Sequence, residues 1–329
     1  MTSLIKREWY TIAIFGMVVL AAFLPISGEP AEVFSLGTRT AVTLLFFLHG
    51  ARLSRDVVLA GVTHWRLHLF VLATTFVVFP VLGLIVIALP GLTTPAIGTG
   101  ILFLCVLPST VQSSIAFTSI AGGNVPAAIC SASASNILGM FLTPLLVGLL
   151  FHAQANSGVS LDAVESILLQ LLAPFILGQI VQPLVGRWLG RHKALTQIVD
   201  RGSILMVVYG AFSEATISGL WQSLSVGDLT AIIAIDIVLL VTVMCFTYFV
   251  SGWLRFNLED RIAILFCGSK KSLASGAPMA SVIFAGQNIG SIVLPLMLFH
   301  QIQLMACAVL ARRFASSARE LEPELVKAG

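Results

Sequence analysis

The chain has 329 residues, of which 57% are apolar and only 10% charged, with a formal net charge of +3. Its mean hydropathy is +1.00. A soluble domain carries roughly 25% charged residues, so this composition excludes an ordinary soluble enzyme and specifies an all-α polytopic membrane protein.

The apolar runs predict ten spans, near 9–27, 33–50, 67–90, 96–121, 125–151, 164–185, 201–221, 228–252, 261–284 and 289–311. Each is about the twenty residues a helix needs to cross hydrocarbon. The first follows Lys6 and Arg7 without an A-x-A cleavage site and reads as a transmembrane helix, not a leader. Span 4, "AIGTGILFLCVLPSTVQSSIAFTSIA", contains Pro108, which removes a backbone donor. Thr110, Gln112, Ser113 and Ser114 follow at the same depth. Span 5 carries "CSASASNILG", with Ser131, Ser135 and Asn136 among small residues that also suit close helix packing. Glu214 in span 7 and Asp236 in span 8 are the two carboxylates inside spans. Span 9, "RIAILFCGSKKSLASGAPMASVIF", breaks at Gly268 and Ser269, then presents Lys270, Lys271 and Ser272. His300, Gln301 and Gln303 form a polar cluster in span 10, and His300 could relay protons. Residues 314–329 read as a polar tail, frayed or weakly helical. The five cysteines have no metal-ligand spacing and read as small hydrophobes.

Fifteen of the eighteen basic residues fall on one side of this ten-span scheme. They are Lys6 and Arg7; Arg52, Arg55 and Arg66; Arg187, Arg191, Lys193 and Arg201; Arg255 and Arg261; and Arg312, Arg313, Arg319 and Lys327. The opposite loops offer Glu29, Glu32, Asp162, Glu165 and Asp228 with no lysine or arginine. Both termini are therefore expected in the cytoplasm, and the membrane is expected to be a bacterial cytoplasmic one. Arg39, Lys270 and Lys271 stand outside the pattern.

Two lysines at mid-depth cost about 5–7 kcal/mol on insertion scales. Each is some ten residues from the nearer end of the span, about 14 Å, which a lysine stem does not cover. Compensation is expected from carbonyls freed by the helix break and from Glu214 or Asp236 as charge partners. Spans 4 and 9 are the fourth members of two five-span halves. Interrupted segments at matching positions of inverted halves point to a transporter's binding site.

The segments "LPSTVQSSIAFTSIAGGNVPAAICSASASNILGMFLTPLLVGLL" and "FCGSKKSLASGAPM" resemble the bile acid:sodium symporter family, in its orphan branch. That resemblance implies two inverted five-helix repeats, 1–152 and 153–313. Spans 1, 2, 6 and 7 would form a panel domain, and spans 3–5 and 8–10 a core with two crossed discontinuous helices. It also implies sodium sites behind the crossing, with Ser113, Ser114, Ser135 and Asn136 at the matching positions. Three departures stand out. The family's glutamate before the glycine is Phe266 here, and its following glutamine is Lys270; a further glutamine corresponds to Thr75.

The expectation is a secondary transporter of an organic anion working by alternating access. Lys270 and Lys271 would replace at least one sodium site, with sodium or protons as coupling ion and no other cofactor. Thr110, Gln112, Ser269 and Ser272 are the expected substrate contacts. Its partners would be the organic anion and the lipid bilayer, not nucleic acid, and a homodimer is compatible with the sequence. The alternatives are a non-transporting membrane regulator and a cation/proton exchanger of similar architecture. No nucleophile–base set or phosphate loop suggests an enzyme.

Overall fold

A computed structural model describes residues 2–52, 64–89, 91–152 and 161–327. Arg55, the loop containing it, and residues 153–160, where the second repeat was expected to begin, lie outside these. So do the side chains of Lys6, Arg7, Asp162, Glu165, Arg187, Lys193, Arg319 and Lys327.

All regular structure among the described residues is helical. In chain order the helices are α1 (Thr2–Phe23), α2 (Glu29–Arg52), α3 (Trp65–Ala88), α4 (Pro95–Val106), α5 (Gln112–Ile120) and α6 (Val125–His152). They continue with α7 (Leu161–Arg191), α8 (Lys193–Ile217), the one-turn α9 (Leu220–Ser223), α10 (Val226–Trp253), α11 (Leu258–Gly268), α12 (Leu273–Ile283) and α13 (Ile289–Lys327). By length and composition, α2, α3, α6, α10 and the first 28 residues of α13 can each cross a membrane. Large apolar side chains such as Phe23, Leu184, Phe249 and Trp253 are exposed, as lipid contact requires. The chain is an all-α polytopic membrane protein.

Two interruptions fall where the sequence placed them. Span 4 is divided into α4 and α5 around Pro108, and span 9 into α11 and α12 after Gly268. Of the two forms expected for the tail, frayed or weakly helical, the structure shows the helical one: 314–327 continues α13 without a break. Its alanines, arginines and glutamates are strong helix formers, and the helix before it supplies the nucleus.

The chain divides into two compact units. Unit 1 comprises 1–54, 144–229 and 274–294, and so contains α1, α2, α7, α8, α9 and all but the first residue of α12. Within it, α2 and α7 meet main chain to main chain. A Cβ on Gly50 would collide with the Phe175 carbonyl, and one on Gly178 with the Phe47 carbonyl. The Gln179 amide donates to the Gly50 carbonyl at this crossing. Small residues permit such contact, and Leu48, Ala51 and Leu189 close a buried cluster beside it. At the polar end of α2, Arg52 (3.2 Å) and His49 (3.5 Å) converge on Asp200. Tyr209 of α8 donates to the Leu24 carbonyl at 2.8 Å, which ties α8 to the end of α1.

Unit 2 comprises 55–143, 230–273 and 295–329. Its core cluster joins Leu67 and Val71 of α3, Ala127, Ala128 and Ala132 of α6, and Ala263, Ile264 and Cys267 of α11. Midway, α3 widens into a π-helical turn at Thr74–Val78. Pro80 accounts for it: lacking an N–H, it cannot continue the ladder. The Phe79 N–H bonds to Thr74 O, five residues back. Thr75 O is then left with no main-chain donor, since its next candidate is Pro80.

Candidate functional site

Both helix breaks lie in unit 2 and face each other, and each satisfies the carbonyls the other leaves open. A helix C-terminus exposes four unpaired carbonyls. At the end of α4, the Leu104 carbonyl accepts the Leu107 N–H (3.3 Å) and Pro108 O accepts the Ser272 N–H (2.9 Å). Val106 O accepts the Thr143 hydroxyl at 2.8 Å. Cys105 O and Leu107 O, each at 2.7 Å, accept from Lys271 Nζ. The Ser109 N–H, which would have returned to Cys105 O in a continued helix, instead donates to Ser135 Oγ at 3.1 Å. The Pro108 ring sits against Gly139 of α6, where any side chain would collide with it.

The end of α11 is closed in the same way. Leu265 O accepts both the N–H (3.3 Å) and the hydroxyl (2.6 Å) of Ser269. Phe266 O accepts Ser114 Oγ at 2.9 Å, and Cys267 O accepts Ser109 Oγ at 2.5 Å. The proline-induced break thus supplies hydroxyls to α11, while the glycine-induced break supplies an ammonium and an N–H to α4.

Lys271 is fully buried. Its third donor goes to Thr75 O at 2.9 Å, the carbonyl orphaned by the π turn. All three ammonium hydrogens therefore have carbonyl acceptors. The Phe79 ring lies 4.1 Å away, a cation–π distance. Gln303 holds the Lys271 peptide from both sides, accepting its N–H (2.9 Å) and donating to its carbonyl (2.8 Å). The same amide nitrogen donates to His300 Nδ1 at 2.9 Å, which puts the ring proton of a neutral His300 on Nε2.

Lys270, also fully buried, is held very differently. Its Nζ has one hydroxyl partner, Ser113 at 3.3 Å, and two ring faces, Phe117 at 4.5 Å and Phe266 at 5.7 Å. Ser113 Oγ lies 2.8 Å from Thr110 Oγ1, which lies 3.0 Å from Ser114 Oγ. Since Ser114 spends its hydrogen on Phe266 O, counting donors gives one direction to the whole chain. Lys270 donates to Ser113, Ser113 to Thr110, Thr110 to Ser114, and Ser114 to the carbonyl. Ser113 is half-buried, so this chain links an enclosed ammonium to the edge of the unit.

The expected residues distribute as follows. Ser113, Ser114, Thr110 and Lys270 share one hydrogen-bonded cluster, and Lys271 stands beside it. Thr75 takes part through its carbonyl, while its hydroxyl returns to Val71 O. Ser135 caps the Ser109 N–H. Ser269 closes its own helix, and Ser272 acts through its N–H. Ser131 pairs with His68 at 2.6 Å, away from the lysines. Gln112 is exposed and Asn136 half-buried. The charge partners require correction. Among the described residues the ion pairs found both end on Asp200, and neither Glu214 nor Asp236 pairs with a lysine. Asp236 is buried with no hydrogen-bond partner on either oxygen, and Glu214 is exposed in unit 1. Main-chain carbonyls, already unpaired and fixed in place, do the work assigned to carboxylates. Ser109, Thr143 and the Gln303 clamp were missed. Ser109 follows Pro108 directly and Thr143 precedes Pro144, so proximity to prolines was the available signal.

Residues 8–316 match the SBF-like CPA transporter family. Uncharacterized protein PA2026 of Pseudomonas aeruginosa is 54% identical over 320 residues, covering 97% of this chain and 96% of the relative. Putative symporter YfeH of Escherichia coli K12 is 50% identical over 316 residues, covering 96% and 95%. Sodium/bile acid cotransporter 7-B of Xenopus laevis is 31% identical over 314 residues, covering 93% and 91%.

Proposed function

The chain belongs to the SBF-like CPA transporter family, and on that premise we propose that it is a secondary active transporter of an organic anion in a bacterial cytoplasmic membrane. It works by alternating access, through ten spans in two inverted five-span repeats with both termini in the cytoplasm. The matching breaks at the fourth and ninth positions and the one-sided basic residues support this reading.

One observation carries the mechanism: Lys271 Nζ is ligated by three main-chain carbonyls at 2.7–2.9 Å where two helix breaks meet. Carbonyls freed from helices are the ligand set that such carriers use for a bound cation. Lys271 takes the place of one coupling cation and keeps the crossing assembled in its absence. Lys270, with a single hydroxyl partner and a directed hydroxyl chain beside it, supplies the charge that responds to cargo. A sodium ion at Ser113 and Ser114 would face this ammonium directly, so the sodium set of Ser113, Ser114, Ser135 and Asn136 suits sodium only when Lys270 is neutral or turned away. Sodium at this site would therefore be linked either to loss of the Lys270 proton or to rotation of its side chain.

The test is flux in liposomes containing the purified full-length protein, with a panel of organic anions and imposed sodium or proton gradients. Wild type accumulates an anion under at least one gradient. Lys270→Gln changes which gradient drives uptake. Wild-type flux with an unchanged gradient response in both Lys270→Gln and Lys271→Gln sinks the reading. A cation/proton exchanger is the second reading, favoured by Asp236, a buried carboxyl with no partner. Electroneutral cation–proton exchange lost in Asp236→Asn, with no anion flux, would select it.

A further inference from the structure

Arg39 and Glu214 are two intramembrane charges that the lysine site does not use. Both line a single cavity of about 1180 Å³ whose walls belong entirely to unit 1. One wall is a face of α2, where Ser35, Arg39, Val42 and Thr43 recur at helical spacing. Another part of the lining is a face of α8, where Val207, Gly210, Ala211 and Glu214 do the same. At Gly210 the absent side chain leaves room facing the Phe34 ring. Both charged side chains are exposed to this space. Neither forms an ion pair, because the pairs found among the described residues end on Asp200. Thr38 and Thr43, also in the wall, return their hydroxyls to the α2 main chain at 2.9 Å. Ser281 returns its hydroxyl to Pro278 O, Ser27 and Ser35 also line the space, and the guanidinium and the carboxylate are the two charged groups in the lining.

The cavity reaches residues 26–28 and 285–289, which belong to the connections from α1 to α2 and from α12 to α13. Both connections turn at left-handed glycines, Gly28 (φ 67°) and Gly286 (φ 82°), and neither carries a lysine or arginine. On the orientation given by the basic loops, the cavity opens away from the cytoplasm.

We infer that this cavity is a binding vestibule for an amphipathic zwitterion, whose anionic group pairs with Arg39 and whose cationic group pairs with Glu214. A simple anion would satisfy the guanidinium and leave the carboxylate of the same cavity repelling it. A simple cation would reverse the problem. Only a solute bearing both charges on an apolar body leaves neither wall unmatched, and intramembrane charges facing a cavity are expected to mark a pathway. The inference narrows the proposed organic-anion cargo to one that also carries a cationic group. It rests on that reading for the view that the bound solute is cargo.

The experiment measures binding, not flux. Full-length protein in nanodiscs of one lipid composition is titrated with 8-aminooctanoate, octanoate and octylammonium. Wild type binds 8-aminooctanoate about tenfold more tightly than either single-charge probe, a difference of about 1.4 kcal/mol. Glu214→Gln abolishes the advantage over octanoate, and Arg39→Gln weakens both carboxylates about tenfold while leaving octylammonium unchanged. Equal affinities in wild type, no measurable binding of any probe, or an unchanged preference in Glu214→Gln overturns the inference. The wild-type comparison decides the matter even if a variant fails to fold. Absence of flux with the preference intact sinks the transport reading alone, whereas flux without the preference sinks the vestibule alone.

Discussion

The crossing of α2 and α7 in unit 1 and the meeting of helix breaks in unit 2 solve one problem in opposite ways. Both bring polypeptide backbones close together where water is scarce. At Gly50 and Gly178 the helices run on without interruption and touch because there is no side chain between them, with one borrowed donor from Gln179 to Gly50 O. At Pro108 and Gly268 the helices are interrupted, and each end borrows donors from the other. The first arrangement depends on shape and tolerates a change of polarity. The second depends on complete hydrogen-bond accounting and tolerates a change of shape only if every carbonyl keeps a donor.

The largest effect should come from Lys271. Lys271→Met removes the donor to three buried carbonyls and should destabilise by about 3–5 kcal/mol, the range for breaking a buried charged network. Thermal unfolding in detergent checks this. Lys270→Met, one residue away, should cost less than about 1 kcal/mol or even stabilise, because that ammonium is buried with one hydroxyl acceptor. Equal losses in the two variants would erase the distinction between the lysines. Next comes unit 1: Gly50→Val and Gly178→Val each force a side chain into main-chain atoms and should cost about 1–3 kcal/mol or more. The same melting assay should find Gly50→Ser about as harmful as Gly50→Ala, because volume and not polarity is at stake. Thr143→Val is nearly isosteric but leaves Val106 O without its donor, and should cost about 1–3 kcal/mol.

The smallest effect concerns Asp200, which precedes the apolar run beginning at Arg201. Burial tends to raise its carboxyl, but His49 and Arg52 outweigh burial and hold it below the ordinary carboxylate value of 3.8. Its folded-state value is depressed, so its contribution to stability is present above the unfolded value and fades as pH falls through the folded one. Melting temperature should therefore drop below about pH 4, and Asp200→Asn should flatten part of that drop. An Asp200→Asn variant with an unaltered acid limb would remove this carboxylate from the account.

Much of this was readable in advance. Pro108 and the Gly268–Ser269 pair announced the two interruptions, because one lacks a donor and the other lacks a side chain. The apolar runs marked each long helix, but α1 and α8 begin seven and eight residues before the predicted spans, α7 runs six residues past its span, and α13 extends to Lys327. The lysines were legible as a problem, not as its solution. Freed carbonyls were expected beside carboxylates, but from the break in the lysines' own span, whereas the acceptors of Lys271 are Thr75 O, Cys105 O and Leu107 O. Thr75 O became available through a π turn forced five residues downstream by Pro80, and nothing at position 75 itself reveals that. Side chains that act through main-chain partners, such as Thr143 and Gln303, are silent for the same reason: the sequence names the donor but not the acceptor. Arg39 and Glu214 were visible as isolated charges, yet their shared chamber depends on two helix faces 175 residues apart in the chain.

The carbonyl-ligated ammonium has a consequence for voltage. A free ion bound at this position would be released after each crossing, and the empty carrier would return without it. In the transport cycle proposed above, Lys271 is tethered to the chain, so its charge would travel with the protein in both directions. The membrane potential would then act on the return half of that cycle as well as on the loaded half, and current would be a direct way to see the difference.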